Sequence, residues 1–372
     1  MIFSHSNFNS ATGIREDFFA ITPRPGIDFA AEVSTLLAEY EQRLPEFGCS
    51  LASEMFLRFH LSDVTTQSPV LQKLLANRQA FVSIVGQQPT ETGSRVALEA
   101  WHWSNAAKSG TSSQLQISLQ NYQPLWFNLP QCSSQGSFDQ TAEEFACLKD
   151  FLAQHNANIK DHTVRTWLYC RDVDNNYAGL VDARNKFFAR NGLTADTHFI
   201  ASTGIEGQSS DVHRLVQMDS LSYPDLQAGQ MFYLTAPEML SPTTIYGVSF
   251  ERGTRLIFGD RSHYFISGTA SIDKAGMVVH VGDVRKQTMR MLDNIEALLQ
   301  SGDAQISDIV CGTLYLRDPA DSAQVLNIVR QRLGRTLPLV TVKAPVCRPA
   351  WLVELECIAI NNKGNANYAD LK

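Results

Sequence analysis

The chain has 372 residues, 44% of them hydrophobic and 19% charged, with a net charge of −7 and a pI near 5.7. That length suffices for two or three compact units, and the acidic balance lacks the basic excess of a nucleic-acid-binding surface. No apolar run approaches the ~20 residues of a membrane span. The N-terminal MIFSHSNFNSATGIRED has no basic stretch leading into an apolar core, and seven cysteines lie scattered without CxxC pairs. These features point to reduced thiols in a cytoplasmic protein rather than to a secreted disulfide framework or a zinc site.

In chain order, the first helix is predicted over Asp28 to Leu44, where Phe29, Val33, Leu36, Leu37, Tyr40 and Leu44 recur at helical spacing. EMFLRFHLSD (54–63) alternates as a strand. A second helix is expected from Pro69, a residue suited to a first turn, to Arg78. FVSIVGQQP (81–89) and SRVALEAWHW (94–103) follow as strands. Beyond a polar connector at 108–113 the pattern restarts. QLQISLQN and PLWFNLP read as strands, 139–154 as a helix, VRTWLYCRD (164–172) as a strand, and NNYAGLVDARNKFFARNG as a helix closed by Gly192. THFIASTGIEG and VHRLVQMDSL complete that round. A third begins near Tyr246, with TRLIFGD and SHYFISGTASID as a hairpin, then a helix capped by Asp283 and stopped by Gly302. DIVCGTLYLRD (308–318) is its strand, Pro319 opens another helix, and PLVTVKAPV and WLVELECIAI close the sheet.

Three strands therefore end alike, in LSD (61–63), CRD (170–172) and LRD (316–318), each between a long helix and a shorter one. This predicts three sheet-and-helix units, over 1–107, 113–245 and 246–372, in an α+β chain.

Two residue types near the end carry chemical content. Arg348 lies in a Cys-Arg-Pro turn, and a guanidinium can fork onto a carboxylate. Glu354 and Glu356 share one strand face among Leu and Val, where carboxylates need partners or a task.

The run from FISGTASID through GDVRKQT, TLYLRD and CRPAWLVELECIAI resembles the RidA/YjgF family in motif order and spacing over 246–361. Families of this type form homotrimers with sites between neighbouring sheets, so three fused copies imply an intrachain pseudo-trimer, with a monomer sufficient to form it. The long fused branch, the chorismatases, is similar in VRTWLYCRDVDNNY…ARNKFF, ASTGIEG, Tyr246-Gly247 before Arg252, SGTAS and the Cys-Arg turn. The chain departs from that branch at APEMLSPTTIYGVSFERG, where a more Pro- and Arg-rich segment is expected.

The resemblance implies that Arg348 anchors a substrate carboxylate and that Glu354 handles the proton, with Glu356 in support. The equivalents of Arg348 in the other units are expected at Gln88 and Ser202 or Thr203, none cationic, which implies one complete site per chain. Gly268, with neighbours Ser267 and Thr269, would bring backbone N–H groups to an oxyanion, or simply turn a hairpin. Arg165, Tyr246 and Arg252 are candidate substrate contacts, set against ordinary surface or strand-face roles. Cys347 has no activating histidine placed beside it and reads as a pocket wall rather than a nucleophile. A cysteine before the arginine resembles the subgroup that makes 3-hydroxybenzoate. The five tryptophans are expected to pack between units, and His102 to pack on its own strand face.

The expected activity is chorismatase-like: cleavage of chorismate to pyruvate and a hydroxybenzoate or dihydrodiol acid, with no metal or organic cofactor required. A RidA-type deaminase of 2-iminoacids and a non-catalytic small-acid binder are the alternatives. The acidic chain has no basic stripe for RNA, so the endoribonuclease label attached to this family fits least. The partner is a small carboxylate substrate, with no nucleic acid or membrane.

Overall fold

The computed structural model describes all residues 1–372. The first unit comprises β1 (Ile2–Phe8), β2 (Glu16–Thr22), α1 (Phe29–Arg43), β3 (Glu54–Leu61), α2 (Val64–Leu74), β4 (Phe81–Gly86), β5 (Gln88–Pro89) and β6 (Val96–Trp103). The second comprises β7 (Ala107–Gly110), β8 (Gln114–Ser118), β9 (Leu125–Asn128), α3 (Gly136–Gln154), the single turn α4 (Ile159–His162), β10 (Thr163–Cys170), α5 (Val173–Arg190), β11 (Ala201–Glu206) and β12 (Val216–Ser222). The third comprises β13 (Met231–Tyr233), β14 (Gly253–Ile257), β15 (Ser262–Ala270), α6 (Val284–Ser301), β16 (Ile309–Leu316), α7 (Ser322–Leu333), β17 (Leu339–Lys343) and β18 (Val353–Asn361).

The sheets run β1-β2-β6-β3-β4, β11-β10-β12-β9-β8-β7 and β13-β14-β15-β18-β16-β17-β5. In each, the last long strand of the unit lies antiparallel to the strand ending in LSD, CRD or LRD. Helices cover one face of each sheet. Their starts are set by local chemistry: the Asp28 carboxylate accepts from the Ala31 N–H, and Asp283 accepts from Lys286. Asp63 likewise caps α2 through Thr66. The helix therefore begins five residues before the expected Pro69, which sits inside it. The cap sets the start, and the helix carries a proline without an N–H bond in its second turn.

Ahead of the first predicted helix, β1 and β2 form an antiparallel hairpin that the irregular polar alternation of the N-terminal sequence does not announce. Sheets also exchange strands across the predicted spans. β5, from the first span, pairs with β17, and β13, from the second, pairs with β14.

The other sheet faces meet at the centre. Phe56, Phe81, Trp126 and Trp167 stack there with ring centroids 4.7–6.3 Å apart, and Trp101 meets Trp126 edge-on. They belong to one cluster of 57 buried residues drawn from all three units, and smaller clusters lie under the helices of the first two. His102 packs in the first unit against Tyr40, and burial lowers its pKa to about 3.

A buried charge network joins the units along this axis. Glu99, Asp219 and Glu356 are each the fourth residue of β6, β12 and β18. Arg58 lies 3.3 Å from both Glu99 and Glu356 and 3.9 Å from Asp219. Arg165 donates to Glu356 at 2.8 Å, Trp167 Nε1 donates to it at 2.9 Å, and the Thr203 hydroxyl donates as well. Ser83 and Asn128 serve Asp219, while Thr313 serves Glu99. Pairing of this kind is what makes buried carboxylates tolerable.

A candidate active cavity between the second and third units

Glu354 is the second residue of β18, opposite Ala270 of β15 and Tyr315 of β16. Its carboxyl faces a cavity of about 390 Å3 lined by residues of both the second and third units. That falls in the range of roughly 300–1,000 Å3 usual for small-molecule sites. Burial, with a smaller push from Glu356, raises the Glu354 pKa to about 8, against the opposing pull of Arg165 and Arg252. Glu354 is therefore a neutral acid at pH 7.

Arg348, Tyr246, Arg252, Gly268 and Cys347 line the same cavity. Arg348 is held half-buried between two rings, its guanidinium carbon 4.7 Å from the Tyr246 centroid and 5.2 Å from Trp351. Its Nη2 donates to the Tyr246 carbonyl at 3.4 Å. Arg252 is 7% exposed and donates from Nη2 to the Ser241 carbonyl at 3.0 Å, with Phe250 and Tyr246 beside it. Burial pushes the Cys347 thiol up to about 12, with Glu354 adding to the rise, so at neutral pH it forms wall and not thiolate.

Three expectations fall elsewhere. Arg165 does not line this cavity. It is buried at the axis, bound to Glu356 and Thr203, where its charge offsets that of the carboxylate. Thr269 turns its hydroxyl onto the Ser267 carbonyl and stays out of the cavity. The Gly268 N–H is taken by Thr203 Oγ1 at 2.9 Å, so this glycine supplies room rather than a donor. A Cβ there would sit 2.2 Å from Glu354 Oε1 and 3.0 Å from Thr203 Cγ2. Gly268→Ala is accordingly expected to fold but to displace Glu354, lowering kcat about 100-fold at nearly unchanged melting temperature. Steady-state kinetics beside a thermal melt check this.

The equivalents of Arg348 also need correction. Gln287 of α6 accepts from the Leu352 N–H, Gln140 of α3 accepts from Leu215, and Glu32 of α1 accepts from Arg95. These clamps fix the register of the three turns. Four residues before each clamped position stand Arg348, Asp211 and Glu91. Gln88, Ser202 and Thr203 lie instead in strands β5 and β11. The groove between the first and second units has Val82 and Ile84 where Ser202 and Gly204 line the active cavity, and Gln217 where Glu354 stands. With an acid at the arginine position and an amide at the acid position, that groove lacks both functional groups.

Sequence reasoning missed the contribution of α5. Tyr177, Val181 and Arg184 descend one face of this helix at spacings of four and three and line the cavity from the second unit. The available signal was a charged residue, Arg184, on the same helix side as Leu180 and Phe188, which are buried.

Residues 259–361 match the family model described as endoribonuclease L-PSP. A RutC family protein of Pyrococcus horikoshii is 30% identical over 131 residues, 35% of this chain and 94% of the relative. The 3-aminoacrylate deaminase RutC of Acinetobacter baylyi is 27% identical over 96 residues, 26% of this chain and 76% of that protein. Among solved structures, a chorismatase superposes with a TM-score of 0.66 at 20% identity, covering 83% of this chain and 93% of the other. That last likeness spans all three units and is one of fold. No helix is long and apolar enough to cross a membrane.

Proposed function

The chain belongs to the RutC/RidA family, and from that premise we propose that it is a chorismatase-like enzyme working in the cavity between its second and third units. The observation that carries this reading is Glu354: a carboxylic acid kept protonated by burial, facing a cavity that also presents Arg348 and Arg252. A neutral acid in that setting suits proton donation to carbon, the step an enol ether needs.

In this mechanism Arg348 holds a carboxylate by its forked donors and Glu354 protonates the enol-ether methylene. Protonation makes that carbon an oxocarbenium centre open to attack, and the negative charge left on Glu354 lies in the field of Arg165 at the axis and of Arg252 in the cavity wall. If water adds to that carbon, the hemiketal collapses to pyruvate and a dihydrodiol acid, with one water consumed. If the ring also loses one water and becomes aromatic, that water balances the one added, and pyruvate and a hydroxybenzoate form with no net water. Cys347, beside Arg348, is the wall residue placed to bias that choice.

Incubation of the protein with chorismate is expected to release pyruvate together with a hydroxybenzoate or dihydrodiol. Inertness toward chorismate with ammonia release from 2-iminoacids generated in situ would establish the deaminase instead, and binding without turnover of either would leave a small-acid binder. Arg348→Lys, which keeps the charge and loses the fork, is expected to lower kcat/KM about 100- to 1,000-fold, chiefly through KM.

A further inference from the structure

Between β13 and β14 the chain leaves the sheet over 234–252, the segment in which the sequence departs from the long fused branch it resembles. Its ends are joined, because the Leu234 N–H donates to the Gly253 carbonyl at 2.9 Å, which makes the stretch an Ω-type loop. The first half is anchored. Leu240 is 2% exposed within the central cluster, and Arg290 and Arg252 donate to the Met239 and Ser241 carbonyls at 2.9 and 3.0 Å.

The tip, 242–250, is held differently. Its backbone hydrogen bonds stay within the tip, and Thr243 Oγ1 closes it on the Phe250 carbonyl at 2.7 Å. Tyr246, Gly247, Val248 and Phe250 line the active cavity, while Ile245 beside them is 60% exposed. Two side chains supply the hydrogen bonds between the tip and the rest of the protein. Asn185 of α5 donates from Nδ2 to the Gly247 carbonyl at 3.1 Å and accepts from the Ser249 hydroxyl. Arg348 donates to the Tyr246 carbonyl at 3.4 Å and lies over the Tyr246 ring. A wall fastened by so few bonds, none of them to a strand, can open locally at far less cost than the sheets behind it.

We propose that residues 242–250 are a movable cover over the cavity, latched across the unit boundary by Asn185, which thereby acts as a positioning residue for Arg348. With the tip down, the Tyr246 ring and carbonyl hold one side of the guanidinium. Its remaining N–H groups are then free to receive a ligand carboxylate. A bound carboxylate and the lowered tip favour one another through the same side chain. The inference rests on the cavity being a small-acid site and holds for cleavage, deamination or binding alike.

Limited digestion with chymotrypsin, with fragments assigned by mass spectrometry, reads the tip directly, since Tyr246 and Phe250 become cleavable once it lifts. Loss of both Asn185 bonds in Asn185→Ala is expected to speed cutting there about tenfold in the free protein, with the melting temperature within about 2 °C of wild type. Ser249→Ala removes one of the two bonds, and its cutting rate should fall between. Saturating benzoate should slow cutting of the wild type about fivefold or more. Benzoate should also leave Asn185→Ala about tenfold faster than wild type, followed by tryptophan fluorescence, with Trp351 in the cavity wall. An unchanged cutting rate at the tip in Asn185→Ala, acceleration spread over the whole chain with a lower melting temperature, or benzoate bound without protecting the tip would overturn the proposal. If benzoate does not bind, the small-acid site fails, and free Asn185→Ala against free wild type still decides the cover. Inertness toward chorismate with the tip behaving as described removes the cleavage reading and leaves the cover in place.

Discussion

Glu354→Gln is expected to reduce kcat for chorismate cleavage about 1,000- to 10,000-fold while leaving the affinity for a non-reactive aromatic carboxylate within about threefold. The amide matches the neutral acid in shape and charge at pH 7 but has no proton of suitable acidity to give to carbon. The same logic fixes a pH profile. Glu354 titrates at about 8 in the folded protein, above its ordinary 4.5. The proton-bearing form therefore predominates below pH 8, and kcat should hold there and fall about tenfold per unit above it. Folding is linked with the same sign. A carboxyl whose pKa is raised on folding contributes stability that is fully present below pH 4.5 and is lost as the pH rises through 8. Glu354→Gln should remove that part of the alkaline destabilisation, so its melting temperature should decline less than that of the wild type between pH 6 and 9.

The largest effect on stability is expected at the axis, away from the cavity. Arg165→Met removes the cation nearest Glu356, whose carboxylate is 5% exposed, and is expected to cost about 3–5 kcal/mol, read from urea midpoints. Arg58, 3.3 Å from the same carboxylate, limits the damage but is shared with Glu99 and Asp219. Adding Glu356→Leu should recover part of the loss, because the orphaned carboxylate disappears with it. Were Arg165→Met neutral in stability but damaging to substrate affinity, the anchor role first expected for Arg165 would regain its place.

What the sequence made legible was what local chemistry and periodicity decide. The α1 and α6 starts were readable from Asp28 and Asp283 because a capping carboxylate acts within three residues of itself. The three strands ending in LSD, CRD and LRD were readable from alternation and from their recurrence between helices. Arg348 and Glu354 could be brought to one cavity because the turn and strand that carry them are contiguous. The residues that were misplaced or missed are those whose role depends on a neighbouring unit. Arg165 looked like an anchor until Glu356, 191 residues away, was seen to hold it. Arg184 was passed over because nothing local says that the third unit closes over α5. The N–H groups around Gly268 were expected to face an oxyanion, but the Ser267 N–H donates to the Arg252 carbonyl and Thr203 of the second unit takes that of Gly268. Pro69 misled for the opposite reason: a residue permitted in a first turn is not required there, and the Asp63 cap was passed over.

The central claim is that an enclosed carboxylic acid keeps its proton at neutral pH in a cavity whose lining also carries three guanidinium groups. Carbon-13 NMR of protein carrying carboxyl-labelled glutamate, with Glu354→Gln identifying the resonance, reads that proton directly. A midpoint near pH 8 for Glu354 is the predicted result. Titration in the ordinary range of about 4–5 would leave a carboxylate at neutral pH, and proton transfer from Glu354 to substrate carbon would have to be abandoned.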